Sequence, residues 1–256
     1  MPGGPNLQSS TAPTRRYPAP LSARRASAVV EMLRLPPAGR VLDLAAGTGG
    51  LLLDALAAND ARGLGLVARE ADAIALRAIA AAEGLSGRVE FRVATADCVP
   101  AQRFDAALCV RSAGAPADSL ELDAAQCLGW LRVGGTLVVG EPFLRRPPAP
   151  RYRELLGESA AGLKTVGATA RAVVALGYEL AVTAVLSETE WDAHESANYR
   201  ARLEDAAACA DVQRGARLRE RADAWYHAYW AYGRDTLGFA FHAFRKARVL
   251  EVLASA

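Results

Sequence analysis

Several residue types are scarce in this chain, and each scarcity excludes something. Of 30 basic residues, only Lys164 and Lys246 are lysine, and 28 acidic residues leave a net charge of +2. A near-neutral balance encodes no extended basic surface, so no nucleic-acid partner is expected. The locally basic run "RGARLRERADAW" is broken by Glu220 and Asp223 and reads as a solvated helix face. The four cysteines, Cys98, Cys109, Cys127 and Cys209, form no C-x-x-C pair and no metal-like cluster. They are read as reduced core residues, with no metal site. No apolar run approaches the roughly 18 residues of a membrane span, so no membrane association is expected. The first stretch, "MPGGPNLQSSTAPTRRYPAP", lacks the apolar core of a secretory signal, which suits a cytoplasmic protein. Its Pro, Gly, Ser and Thr content predicts a flexible tail over residues 1–20.

What remains is globular: 52% of the residues are hydrophobic, enough for a full core in one large domain over 21–256. Strand-like and helix-like segments alternate through the first two thirds. "RVLDLA" is followed by a helical pattern from Gly50 to Ala58, "GLGLV" by the helix "EADAIALRAIAAAEG", which Gly84 stops. "RVEFRV" alternates with period two. "FDAALCV" is the next apolar run, and the helix "ADSLELDAAQCLGWL" leads through a turn at Gly134-Gly135 into "TLVVGEP". Such alternation over short loops predicts an α/β fold with a parallel sheet covered by helices on both faces. Beyond Pro142 a Pro-rich connection, "RRPPAPRY", leads to the helix "TVGATARAVVALG" and the strand "YELAVTAVL". The stretch at about 187–234 is too long for a plain loop and predicts two or three helices. It carries seven of the eleven Trp and Tyr residues, a density that fits either an apolar cap over a small-molecule pocket or a packed helical subdomain. "TLGFAFHAF" closes the pattern as one more strand.

The segment "VLDLAAGTGGLLLDAL", Val41–Leu56, runs from strand through small residues into helix. In an open α/β sheet, ligands bind at the carboxyl ends of strands, so Ala45–Gly50 is where a ligand belongs. Ala45, Gly47 and Gly50 also fit a weakened A-x-G-x-x-G dinucleotide pattern, with Glu70 placed 20 residues on. Asp43 argues against a pyrophosphate there, because two like charges meet where the dielectric is low. The same carboxylate favours an ammonium or sulfonium group.

At these residues the chain resembles a family. "VLDLAAGTG" is similar to the first motif of class I S-adenosylmethionine-dependent methyltransferases. The resemblance continues through "GLSGRVEF", "FDAALCV", "LRVGGTLVVGEPF", "LGYEL" and "WDAHESANY" to "GRDTLGFAFHAFRK". Its later motifs look closest to little-studied bacterial small-molecule methyltransferases. The resemblance implies a Rossmann-like seven-stranded, mostly parallel sheet, with an antiparallel last strand supplied by "TLGFAFHAF" and a helical insertion before it. It implies S-adenosyl-L-methionine as cofactor, held by Asp43 and the backbone of Ala45, Gly47, Thr48 and Gly49. Three positions depart from the family pattern. Ala45 replaces a first glycine, Val67 stands where an acidic residue meets the ribose, and Thr95 stands where an Asp lies near adenine. Glu70, for the ribose, and Asp97 with Cys98, for the adenine, are the expected substitutes, although a carboxylate opening a helix is also simply dipole-stabilising.

Methyl transfer is an in-line displacement that needs a held nucleophile, and a base only when that nucleophile carries a proton. Glu141, at the end of "TLVVGE", and His194 are the candidate catalytic residues. Arg111, after the fourth strand, is placed with the cofactor set or as a partner of Glu141. Trp191, Asp192 and Tyr199 are the candidate substrate contacts, with Glu195 nearby. The acceptor is expected to be a small molecule. Two other readings stay open: an NAD-dependent oxidoreductase on a similar fold, and a degenerate relative that binds S-adenosylmethionine without catalysis. Nothing in the sequence sets an oligomeric state.

Overall fold

The computed structural model describes residues 16–17, 20–95, 98–99, 103–111, 119–157 and 162–247. Seven strands are present among them: β1 (Arg40–Asp43), β2 (Arg62–Val67), β3 (Val89–Val93), β4 (Phe104–Val110), β5 (Leu131–Leu144), β6 (Tyr178–Val185) and β7 (Leu237–Lys246). They form one sheet in the order β3-β2-β1-β4-β5-β7-β6. β1 to β5 run parallel, and β7 is antiparallel to both its neighbours, β5 and β6. The mostly parallel sheet with an antiparallel last strand is as expected.

Helices α1 (Ala23–Met32), α2 (Gly50–Ala58) and α3 (Glu70–Ala82) cover one face; α4 (Ser119–Trp130) and α6 (Val166–Val174) cover the other. A short helix, α5 (Pro150–Leu156), lies in the Pro-rich connection, where only a linker was expected. Pro150 opens it because a proline lacks only an amide that the first turn leaves unbonded, and Tyr152 buries fully behind it. The expected turn at Gly134-Gly135 is also revised. Both glycines lie within β5, where Gly134 takes φ +76° and the pairing with β4 shifts register between Phe104 and Ala106, as a β-bulge does.

The insertion before β7 folds as α7 (Glu188–Ala207) and α8 (Val212–Ala228), followed by a π-helical segment, Tyr229–Gly233, and a last turn, Arg234–Thr236. Ser187 and Glu190 form a reciprocal capping box that fixes the start of α7. Asp211 caps α8 by accepting from the Arg214 N–H. The pair packs on the α1–α3 face: Trp191 stacks on Phe239 of β7 at a centroid distance of 6.1 Å. Burying a large apolar side chain of this kind contributes about 1.5–3 kcal/mol.

Candidate active site

β1 ends at Asp43, and the chain must turn there to begin α2. The turn is anchored to both neighbouring strands, the Leu44 N–H donating to Leu108 O at 2.9 Å and the Ala46 N–H to Leu66 O at 2.9 Å. Gly47 and Gly49 adopt φ +54° and +74°, values that disfavour any residue with a Cβ. At Gly49 a Cβ would in addition meet Leu76 of α3 at 2.8 Å. The glycines are thus required by the turn itself.

Asp43 is buried beneath this turn, only 4% exposed, and its carboxylate accepts the Ala45 N–H at 3.1 Å. Burial pushes its pKa up to about 7, against the smaller opposing pull of that N–H. A carboxylate in this setting is a charge waiting for a cation.

Residues expected to belong to the tail lie across the loop. Arg16 O accepts the Thr48 hydroxyl at 2.6 Å and stands 2.0 Å from where a Cβ at Gly50 would be. The Arg16 guanidinium donates to Asp54 at 2.9 Å and to Glu83 at 2.6 Å, and the Tyr17 hydroxyl donates to Asp54. The tail expected through Pro20 is therefore tied down at Arg16 and Tyr17, which form a strap over the start of α2. Tyr17 is pushed up to about 12 by burial and by that bond.

The other cofactor candidates divide. Arg77 donates to the Glu70 carboxylate at 2.8 Å, and Glu70 is exposed at the start of α3. The Cys98 N–H donates to Thr95 O at 3.2 Å, and Cys98 O accepts from Arg92 at 3.0 Å. Asp97 lies outside the described residues. Arg111 follows β4 and acts on Glu141, Asp123 and Cys109, all on the α4–α6 side of the sheet.

Glu141 and His194 do not meet. Along β5 the side chains alternate, Val138 packing with α1–α3 and Leu137 and Val139 with α4 and α6. Glu141 therefore faces α6, where it accepts the Thr169 hydroxyl. Burial raises its pKa, while Thr169, Arg111 and Lys164 pull it down. His194 belongs to the other face, its ring 5.8 Å from that of Trp191. Strand parity, which sends alternate side chains to opposite faces, puts the two candidate catalytic residues on different sides of the sheet.

The candidates on α7 separate by the same kind of rule, now with helical period. Trp191 and His194, three apart, share a side, with Trp191 6% exposed and its indole N–H buried without a partner among the described residues. Asp192 faces the insertion instead, accepting the Tyr229 hydroxyl and Arg234 Nε, the latter at 3.0 Å. Tyr199 stacks on Tyr226 of α8 at 4.2 Å, nearly parallel, and donates to Asp223 at 2.6 Å. Glu195 accepts the Trp225 indole N–H at 3.0 Å. Asp192, Glu195 and Tyr199 thus fasten α7 to α8 and to the segment after it.

Sequence reasoning missed Arg16, Tyr17 and Arg25. Arg25 of α1 donates to Glu190 of α7 through two bonds of 2.9 Å. Between these elements lies a cavity of about 440 Å³, walled by Arg16, Tyr17, Pro20, Leu21 and Ser22 and by the first turns of α7, with His194 in its lining.

A doubly wound dinucleotide sheet carries its sixth strand parallel beside the fifth. Here an antiparallel strand, β7, sits between β5 and β6. The chain has the class I S-adenosylmethionine-dependent methyltransferase fold. Comparison with known proteins agrees. An S-adenosylmethionine-dependent methyltransferase from Geobacter sulfurreducens, in complex with S-adenosyl-L-homocysteine, superposes with a TM-score of 0.79 at 24% identity, over 95% of this chain and 99% of that one. One from Thiobacillus denitrificans, also with S-adenosyl-L-homocysteine, gives 0.77 at 23% identity over 92% and 95%. The Escherichia coli K12 protein called uncharacterized protein YjhP is 26% identical over 230 residues, 88% of this chain and 91% of that one. The YjhP X-ray structure gives a TM-score of 0.78 at 25% identity, covering 92% of this chain and 97% of that one. No protein-family model matches the chain. In this methyltransferase fold, no helix of the described residues is long and apolar enough to cross a membrane.

Proposed function

We propose that the chain binds S-adenosylmethionine at the carboxyl end of β1 and transfers its methyl group to a small-molecule acceptor held on the α7 face. Buried Asp43 carries this reading. At an effective dielectric constant near 20, a unit charge about 4 Å away interacts with it by about 4 kcal/mol. An ammonium or sulfonium gains that amount and a phosphate loses it, which separates this cofactor from NAD.

The residues present fit the group. The Asp43 carboxylate would neutralise its amino-acid end, and Gly47 and Gly49 let backbone approach it without a Cβ in the way. The start of α2 offers amide donors to a carboxylate, and Arg16 of the strap covers Thr48 and Gly50. Bound there, S-adenosylmethionine supplies an electrophilic methyl on sulfur, and its departure needs no acid. The protein's task is then to hold the acceptor in line. His194 is the proposed base, because it lies on the cap face and lines the cavity. Glu141 is assigned to anchoring β5 on Thr169, and Arg111 to its company.

Calorimetric titration with S-adenosylmethionine, S-adenosylhomocysteine and NADH, with Asp43→Ala in parallel, tests this. Micromolar binding of the first two, lost in the variant, is expected. Binding of NADH alone would overturn it. A second reading, binding without turnover, draws on Val67 at the ribose position and on the engagement of Glu70 by Arg77. Release of S-adenosylhomocysteine with any acceptor eliminates that reading.

A further inference from the structure

The cavity between the strap and α7 has a chemistry of its own. Tyr17, Pro20, Leu21, Ala193 and Ala197 give it an apolar wall, and His194 gives it a polar point. Each charged group in the wall is already matched. Arg16 faces Asp54 and Glu83; Glu190 is held by Arg25 and its own capping box, which keep its carboxyl down at about 2. Ser22 and Ser187 are spent as helix caps. A charged acceptor entering here would lose its hydration and find no unmatched counter-charge among the described lining residues, which is unfavourable. A neutral one loses little. Beside the wall, the buried Trp191 N–H is a donor without a partner among the described residues, and leaving a buried donor so is unfavourable. The volume, about 440 Å³, suits one small organic molecule.

We infer that this cavity is the acceptor site and that the acceptor is an uncharged, mainly apolar molecule bearing a hydroxyl group. This rests on the cofactor reading above. In the reaction the hydroxyl oxygen bonds to the methyl carbon as the carbon–sulfur bond breaks. The bonding pair leaves with sulfur, giving neutral S-adenosylhomocysteine, and the hydroxyl proton passes to His194 and on to solvent.

The test is equilibrium binding of three probes that share a 4-hexylphenyl frame to the chain saturated with S-adenosylhomocysteine: 4-hexylphenol, 4-hexylbenzoate and 4-hexylbenzylammonium. The phenol is expected to bind at least about tenfold more tightly than either ion. Ala197→Trp, which fills the cavity from a half-buried position on α7, should weaken the phenol by about tenfold or more. S-adenosylhomocysteine should still bind within about twofold, which certifies the fold. Ala193→Trp should repeat the result from the neighbouring turn. Equal or tighter binding of an ion, no phenol binding, or indifference to both tryptophans would overturn the proposal. Failure of S-adenosylhomocysteine to bind the unaltered chain would instead strike the cofactor reading. The phenol arm, run without cofactor, would then decide the cavity by the same outcomes.

Discussion

The two faces of the sheet at its carboxyl end are built from opposite materials. Under α4 and α6 lies a knot of ionisable groups: Glu141, Arg111, Asp123, and Glu121 paired with Lys164 at 2.7 Å. Under α7 and the strap lie aromatic rings, alanines and one histidine beside a cavity. The charged face resembles a catalytic centre when read residue by residue, yet Glu141 answers Thr169 and Glu121 answers Lys164. The apolar face keeps its space open. On the reading proposed above, the concentration of charge serves structure and the neutral cavity receives the ligand.

The sharpest way to test that contrast is at Asp43, which serves the second face from the end of β1. Asp43→Asn should weaken S-adenosylmethionine by about two to three orders of magnitude, from the roughly 4 kcal/mol of charge attraction. It should also change stability in the opposite sense. The folded carboxyl titrates at about 7 and the unfolded one at 3.8, so the folded state holds the extra proton between these values. Its contribution is full below the lower value and is lost as pH rises toward the upper one. Without cofactor, the unaltered chain should lose up to about 3 kcal/mol more than the variant between pH 5 and pH 8 in urea unfolding. Cofactor binding at pH 6 should release a proton, visible in calorimetry with buffers of different ionisation enthalpy.

Next in size is the pair of substitutions that sets one face against the other. His194→Gln should lower kcat by about tenfold to a hundredfold, as loss of a base does. Glu141→Gln should change kcat by less than about threefold and cost about 1 kcal/mol in unfolding, from its bond to Thr169. The reverse ranking would restore Glu141 as the reacting group.

The strap should give the smallest effect. Asp54→Ala removes a partner shared by Arg16 and Tyr17 and leaves Arg16 only Glu83; these pairs are partly exposed and contribute little to global stability. Cofactor affinity should fall about threefold to tenfold, and trypsin should cut faster at Arg16. Unchanged cleavage would show that Asp54 does not hold the strap.

Much of this architecture is legible locally. The strand-to-helix turn at Asp43–Gly50 is written in adjacent residues, and α2 begins and ends where its apolar pattern does. Gly134 misled because a positive φ serves a bulge as well as a turn, and α5 hid behind prolines that open a helix as readily as they interrupt one. The site was harder. Glu141 ends a strand and His194 sits on a helix, and only strand parity, which turns Glu141 toward α6 while α7 covers the other face, puts the sheet between them. Arg16 reaches partners 38 and 67 positions away; such pairings leave no trace in neighbouring residues.

The place of β7 has a consequence for how the molecule comes into being. Among the described residues it is the last strand in chain order, yet it lies inside the sheet, and β6 pairs with no other strand. While the chain is being synthesised, β1 to β5 can assemble around the glycine turn with α2 and α3 in place. The α7–α8 insertion, which rests on Phe239 and Phe241, has no floor until β7 slides between β5 and β6. The cofactor half is thus ready early, and the chamber for its partner molecule closes only with the final strand.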